Sequence, residues 1–172
     1  MSQSALIIID LQNDYFPGGK FPLWNTETTL ANIKTAIARA HKIKLPVIHV
    51  QHVADPTKGI APFFNPGSTG VQIHPEILLA APDADVVIKH CADSFEQTNL
   101  EEMLQKHGVT ELVICGMMTQ NCVTHTAISK AAEKYHVSIL KDCCTSVDQM
   151  IHNIALNALS TRVPLCTTEQ KL

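Results

Sequence analysis

The sequence holds no run of lysines and arginines, and its formal net charge of -3 supplies no basic field for nucleic acid. No apolar stretch approaches the ~20 residues that span a bilayer. The first such run, Ala5 to Ile9, is far too short for a membrane helix or a signal peptide, and Met1-Ser2-Gln3-Ser4 ahead of it carries no basic side chain. These absences predict a soluble, cytoplasmic protein with no nucleic-acid and no membrane partner. Cys91, Cys115, Cys122, Cys143, Cys144 and Cys166 form no CxxC pair, and a chain of this size needs no disulfide staples. The vicinal Cys143-Cys144 reads as two ordinary thiols, because a vicinal disulfide is strained. No Gly-x-Gly-x-x-Gly follows the first strand, where Asp10-Leu11-Gln12-Asn13 stands instead, so a dinucleotide-dependent oxidoreductase is disfavoured. Repeats, low-complexity tracts and linkers are absent too.

What is present fits one domain. The chain has 172 residues, 45% of them hydrophobic, enough for one sizeable core spanning 1–172. Ala5-Leu6-Ile7-Ile8-Ile9-Asp10 is a continuous apolar run ending in a carboxylate, the pattern of a buried parallel strand. Further strands are predicted over Val47–His52, Asp85–Lys89, Glu111–Gly116 and Val137–Lys141, with a weaker one over Arg162–Cys166. Three- and four-residue apolar spacing predicts helices over Thr28–Lys44 (Leu30, Ile33, Ile37, Ala40, Ile43), Thr98–His107, Asn121–Tyr135 and Asp148–Leu159. This alternation implies an α/β fold of three layers, α/β/α, around a doubly wound, mostly parallel sheet of about six strands in a Rossmann-like order. Val53–Ala84 stands apart, with Pro56, Pro62, Pro66, Pro75 and Pro82 and little periodicity, and reads as a long functional loop.

In an open α/β sheet the site lies outside the carboxyl ends of the strands. Asp10 ends the first strand, Lys89 ends the third, and Cys122 follows the fourth across Gly116-Met117-Met118-Thr119-Gln120-Asn121. Alone, each has an ordinary explanation as a cap, a surface cation and a packed thiol. Together they offer a nucleophile, a base and a cation. A cation, a base and the first turn of a helix beginning near Asn121 would all favour the Cys122 thiolate, the nucleophilic form.

Ile8-Ile9-Asp10-Leu11-Gln12-Asn13-Asp14-Tyr15-Phe16 resembles the opening motif of the isochorismatase-like cysteine hydrolases, relatives of nicotinamidase and N-carbamoylsarcosine amidohydrolase. The resemblance continues through Val87-Ile88-Lys89 with Phe95 and Thr98-Asn99-Leu100. A third block runs from Val113-Ile114-Cys115-Gly116 through Met117-Met118-Thr119-Gln120-Asn121-Cys122-Val123 to Thr126-Ala127. It implies Cys122 as nucleophile, Asp10 as base and Lys89 as the cation that orients the pair. It also implies a cis peptide at Met117-Met118, with the backbone N–H groups of Met118 and Cys122 forming the oxyanion hole. The chemistry implied is cleavage of a small amide, ureide or carbamoyl C–N bond through a thioester.

Nicotinamidases in this family hold a metal through an Asp and several His after the second strand. Here His49, His52, Asp55 and His74 do not reproduce the Asp-x-His spacing, so neither a metal nor any other cofactor is expected. His90 and Cys91 are left outside the catalytic set. Tyr15, Phe16, Trp24, Phe63, Phe64, Phe95 and Gln120 are the expected pocket wall around a small-molecule substrate, although core packing explains the same aromatics. The resemblance suggests a homo-oligomer, a dimer or tetramer, with Ile151, Ile154, Leu156 and Leu159 as candidate interface. The competing readings are a vinyl-ether hydrolase of the isochorismatase type and a non-catalytic binding module on the same fold.

Overall fold

A computed structural model describes residues 3–172; Met1 and Ser2, at the head of the expected 1–172 domain, lie outside the described residues. Six strands, β1 (Ser4–Ile9), β2 (Val47–His52), β3 (Asp85–Lys89), β4 (Glu111–Met117), β5 (His136–Thr145) and β6 (Leu165–Cys166), form one sheet ordered β3-β2-β1-β4-β5-β6. Every pairing is parallel. The chain winds outward from β1 to β3, then crosses back to β4 and winds the other way. The direction of winding therefore switches between β1 and β4, the place where such sheets open a crevice.

The central position of β1 explains its composition. Covered on both faces, its residues Ala5 to Ile9 are all at most 1% exposed, so the strand is apolar throughout rather than alternating. The edge strand β3 does alternate: Val87 and Lys89 are buried while Val86 and Ile88 are 39% and 53% exposed. That two-residue period turns the Lys89 side chain inward.

Helix α1 (Thr26–Lys42) buries Leu30, Ile33, Ile37 and Ala40, but Ile43 is its 55% exposed cap residue rather than part of the apolar stripe. Helices α2 (Pro75–Ala80), α3 (Leu100–Lys106), α4 (Thr124–Ala127), α5 (Gln149–Leu159) and α6 (Thr168–Lys171) complete the covering. In α5, Ala155 and Leu159 face the core, whereas Ile154 is 62% exposed. Among the described residues no helix is long and apolar enough to cross a membrane.

Three expectations are corrected. The helix expected over Asn121–Tyr135 is a wide π-type turn at Thr119–Val123, the single turn α4, and a 3-10 turn at Lys130–Lys134. Side-chain hydroxyls cause the breaks: Thr124 Oγ1 donates to Thr119 O at 2.6 Å, and Ser129 Oγ caps Ala131 N–H at 3.2 Å. Strand β5 runs on from Lys141 to Thr145 after its register with β4 shifts between Ile114 and Gly116. The third concerns Val53–Ala84, which holds a 3-10 turn at Pro56–Lys58 and helix α2, each with proline in its first turn, where a missing N–H costs nothing.

That long segment is held down by the residues just after β1. Asp14, 2% exposed, accepts Phe64 N–H at 2.7 Å and Lys20 N–H at 3.1 Å. Fully buried Gln12 donates to Val71 O and His52 O, both at 2.7 Å, and accepts His52 N–H at 2.8 Å. Asn13 Nδ2 donates to Thr69 O at 2.9 Å. Each bond contributes only about 0.5–1.5 kcal/mol net, but an unpaired buried partner would cost more, so the set fixes the loop's path.

Candidate active site

Asp10 follows β1 in the left-handed region at φ 54, which aspartate tolerates better than most residues. Its N–H donates to Val50 O at 2.9 Å, anchoring it between β1 and β2. Lys89, the last residue of β3, opposes His52 in the ladder. Although β3 lies two strands from β1, the lysine is long enough to reach across the end of β2. Its Nζ stands 3.1 Å from Asp10 Oδ2, both side chains being fully buried.

Cys122 completes the group, 2% exposed in the turn Thr119–Val123, with its Sγ 3.3 Å from Lys89 Nζ. Gly116 allows β4 to come this close to β1. At φ 124 it sits where a Cβ would meet Ile9 O at 2.1 Å. The Met117–Met118 peptide that leads into the turn is cis. The turn is tied to α5: Thr119 Oγ1 donates to Thr145 O at 3.0 Å and lies 2.8 Å from His152 Nδ1. A hydroxyl has one proton, so His152 must be the donor in the second contact.

The electrostatics correct one expectation. Burial first, and then the charge of Asp10, push the Cys122 thiol up, and Lys89 does not offset them. The four-residue α4 also supplies little dipole. Cys122 is therefore a thiol at rest. Among the described residues neither carboxylate oxygen of Asp10 has a hydrogen-bond partner, the Lys89 contact being an ion pair outside hydrogen-bond angles. Burial works against the Lys89 ammonium, but Asp10 and then Cys122 outweigh it and raise its pKa. The ammonium keeps its charge.

One neighbour was missed as a site residue. His52 Nδ1 lies 2.9 Å from Lys89 Nζ, and burial followed by Lys89 pushes its pKa down to about 4. The imidazole is thus neutral near pH 7, and accepts an ammonium proton on Nδ1. The signal was available in principle, since His52 and Lys89 end two adjacent strands.

The expected wall residues divide. Tyr15, Phe63 and Phe64 form an aromatic cluster, with ring centroids 5.5, 4.6 and 4.9 Å apart, and Phe64 lies 5.8 Å from the His52 ring. Burial first, then the charge of Asp10, push the Tyr15 phenol up, so it stays protonated. The other four have partners of their own. Phe16 packs on His74 at 4.3 Å, Trp24 on His152 at 5.9 Å, and Phe95 on Tyr135 at 6.3 Å, while Gln120 Oε1 accepts from Ser146 Oγ at 2.6 Å. Cys91, Cys115, Cys143, Cys144 and Cys166 are free thiols like Cys122.

Comparison with known proteins adds identity to this geometry. The family model "Isochorismatase domain" matches residues 4–170. The isochorismatase family protein YddQ of Bacillus subtilis is 38% identical over 150 residues, covering 87% of this chain and 82% of its own. Nicotinamidase 3 of Arabidopsis thaliana is 28% identical over 167 residues, covering 91% and 80%. A crystal structure from Oleispira antarctica, assigned as an isochorismatase hydrolase, superposes with a TM-score of 0.87 at 34% identity, covering 98% and 95%. The pyrazinamidase of Pyrococcus horikoshii, solved with zinc, shares the fold with a TM-score of 0.80 at 21% identity, covering 96% and 99%.

The zinc of that last structure raises the question of whether the donors here fit a metal. Asp55 is turned to Thr57, accepting its N–H at 2.9 Å and its hydroxyl at 2.7 Å. His74 Nδ1 caps α2, and His49 is buried with Nε2 3.4 Å from Ala81 O. Asp10, His52 and Cys122 do bring ligand atoms within 4.8 Å of one another, but the Lys89 ammonium already faces all three. A second cation there would meet its charge. The donor set does not fit a resident metal ion.

Proposed function

The chain belongs to the isochorismatase family of hydrolases, and on that premise we propose that it cleaves a small amide, ureide or carbamoyl C–N bond through a Cys122 thioester. The observation that carries the reading is the buried convergence of Cys122, Lys89 and Asp10, with both Asp10 oxygens open to a donor. A structural ion pair has no need of a thiol against its ammonium.

Asp10 takes the Sγ proton as sulfur attacks the carbonyl carbon, so the S–H bond breaks as O–H and S–C bonds form. The tetrahedral oxyanion is received by the backbone N–H groups of Met118 and Cys122. Collapse breaks the C–N bond, and Asp10 returns the proton to the leaving nitrogen. Water, deprotonated by Asp10, then cleaves the thioester and restores the thiol. Lys89 stays protonated throughout and holds the negative charge that moves between Asp10 and sulfur. Tyr15, Phe63 and Phe64 wall the acyl side, which favours a compact, partly apolar substrate.

A panel of small amides and ureides, read by intact mass for an acyl adduct and by product release, tests this reading. Turnover should vanish in Cys122→Ala and fall about 10²–10⁴-fold in Asp10→Asn. A Cys122→Ala variant that still turns over a substrate of the parent would sink the cysteine mechanism.

A further inference from the structure

The Lys89 ammonium has three protons and four acceptors around it. His52 Nδ1 and Cys91 O are nearest, both at 2.9 Å, with Asp10 Oδ2 at 3.1 Å and Cys122 Sγ at 3.3 Å. We infer that His52 is a positioning residue: by taking one ammonium proton on Nδ1, it leaves a single N–H on the side of Cys122 and Asp10, where it rests on Sγ and not on the carboxylate. The inference rests on the cysteine-hydrolase reading and adds to it a residue outside the triad.

The two nearest acceptors are fixed in place. Cys91 O is backbone, and the His52 backbone is gripped on both sides by buried Gln12. The ring is neutral near pH 7 and its Nδ1 lone pair is available. What remains is one N–H facing the two groups that exchange a proton. Before transfer that N–H rests on Cys122 Sγ, and Asp10 carries its negative charge as an ion-pair partner without a hydrogen bond. Transfer breaks S–H and forms O–H on Asp10, the charge passes to sulfur, and the same N–H strengthens its bond to Sγ. Lys89 neither gains nor loses a proton. If His52 accepted nothing, a second N–H would be free to stay on Asp10, holding its charge and making it a weaker base.

A simple packing role, in which the ring only abuts Phe64, makes a different prediction. The rate of iodoacetamide labelling at Cys122, resolved by peptide mass spectrometry on the full chain at pH 7, separates the two. His52→Asn places its Oδ1 where Nδ1 stands, whereas His52→Gln moves the acceptor out to the Nε2 position and His52→Phe keeps a ring without one. We expect Asn to label within about threefold of the parent, and Gln and Phe to label about tenfold more slowly, the worth of one charge-assisted hydrogen bond. Should Phe unfold, the contrast between Gln and Asn decides. Parent-like labelling in Gln, or an Asn variant as slow as Gln, overturns the inference while leaving the hydrolase reading intact. A parent Cys122 that labels no faster than buried Cys115 and Cys144 overturns both.

Discussion

Residues 53–84, between β2 and β3, and residues 118–135, between β4 and β5, both leave the carboxyl end of the sheet and return to its other end. The first is tied down from a distance: Asp14 and Gln12 reach Phe64 and Val71, fifty and fifty-nine positions away. The second is shaped largely by near neighbours, with Met118 O receiving both Asn121 N–H and Val123 N–H and Thr124 closing on Thr119. A long proline-rich loop can thus be as fixed as a helix when buried polar side chains claim its backbone. A helical pattern can break where hydroxyl side chains offer the backbone other partners. The cluster of Tyr15, Phe63 and Phe64 depends on the first arrangement and the place of Cys122 on the second.

The comparison can be broken most severely at Gly70. A Cβ there would lie 2.0 Å from Asp14 Oδ1, so Gly70→Ala must displace the anchor of the whole loop. We expect a loss of about 3 kcal/mol or more in urea unfolding; a loss under ~0.5 kcal/mol would show that the loop does not depend on Asp14. Thr119→Val strikes the other region. It strips the hydroxyl from Thr145 O and His152 Nδ1 and should cost about 1–3 kcal/mol while slowing Cys122 labelling. Unchanged labelling would mean that the turn keeps its shape without the tie to α5. The smallest effect is expected from Ser129→Ala, which removes a local cap and should cost about 1 kcal/mol, or roughly 2–4 °C in melting temperature. A loss as large as that of Thr119→Val would mean that the 3-10 turn is coupled to the site rather than merely adjacent.

The five longer strands were legible because burial on both faces, or a strict two-residue period at the edge, writes itself into composition. The catalytic candidates were legible for a related reason, as ionisable residues at strand ends. The helix after β4 was not, since an apolar period cannot register the hydroxyls of Thr124 and Ser129 competing for carbonyls and N–H groups. Trp24 and Phe95 are expected in the wall as aromatics alone, and only the structure shows the rings they pack on, His152 and Tyr135. Side-chain type does not encode direction once the chain leaves a regular element. His52 is weighed from sequence only as a metal ligand, because histidine at a strand end is otherwise ordinary, and only its 2.9 Å approach to Lys89 gives it a task.

By itself, then, the sequence determined the parallel sheet and the family, since these rest on local periodicity and on short motifs in order. The tertiary structure alone decided the resting state of the site. Whether Cys122 is thiol or thiolate depends on the balance of its burial and Asp10 against Lys89, and which protons Lys89 can give depends on His52 and Cys91 O. Those are sums over distances between residues far apart in the chain, and spacing along it does not contain them.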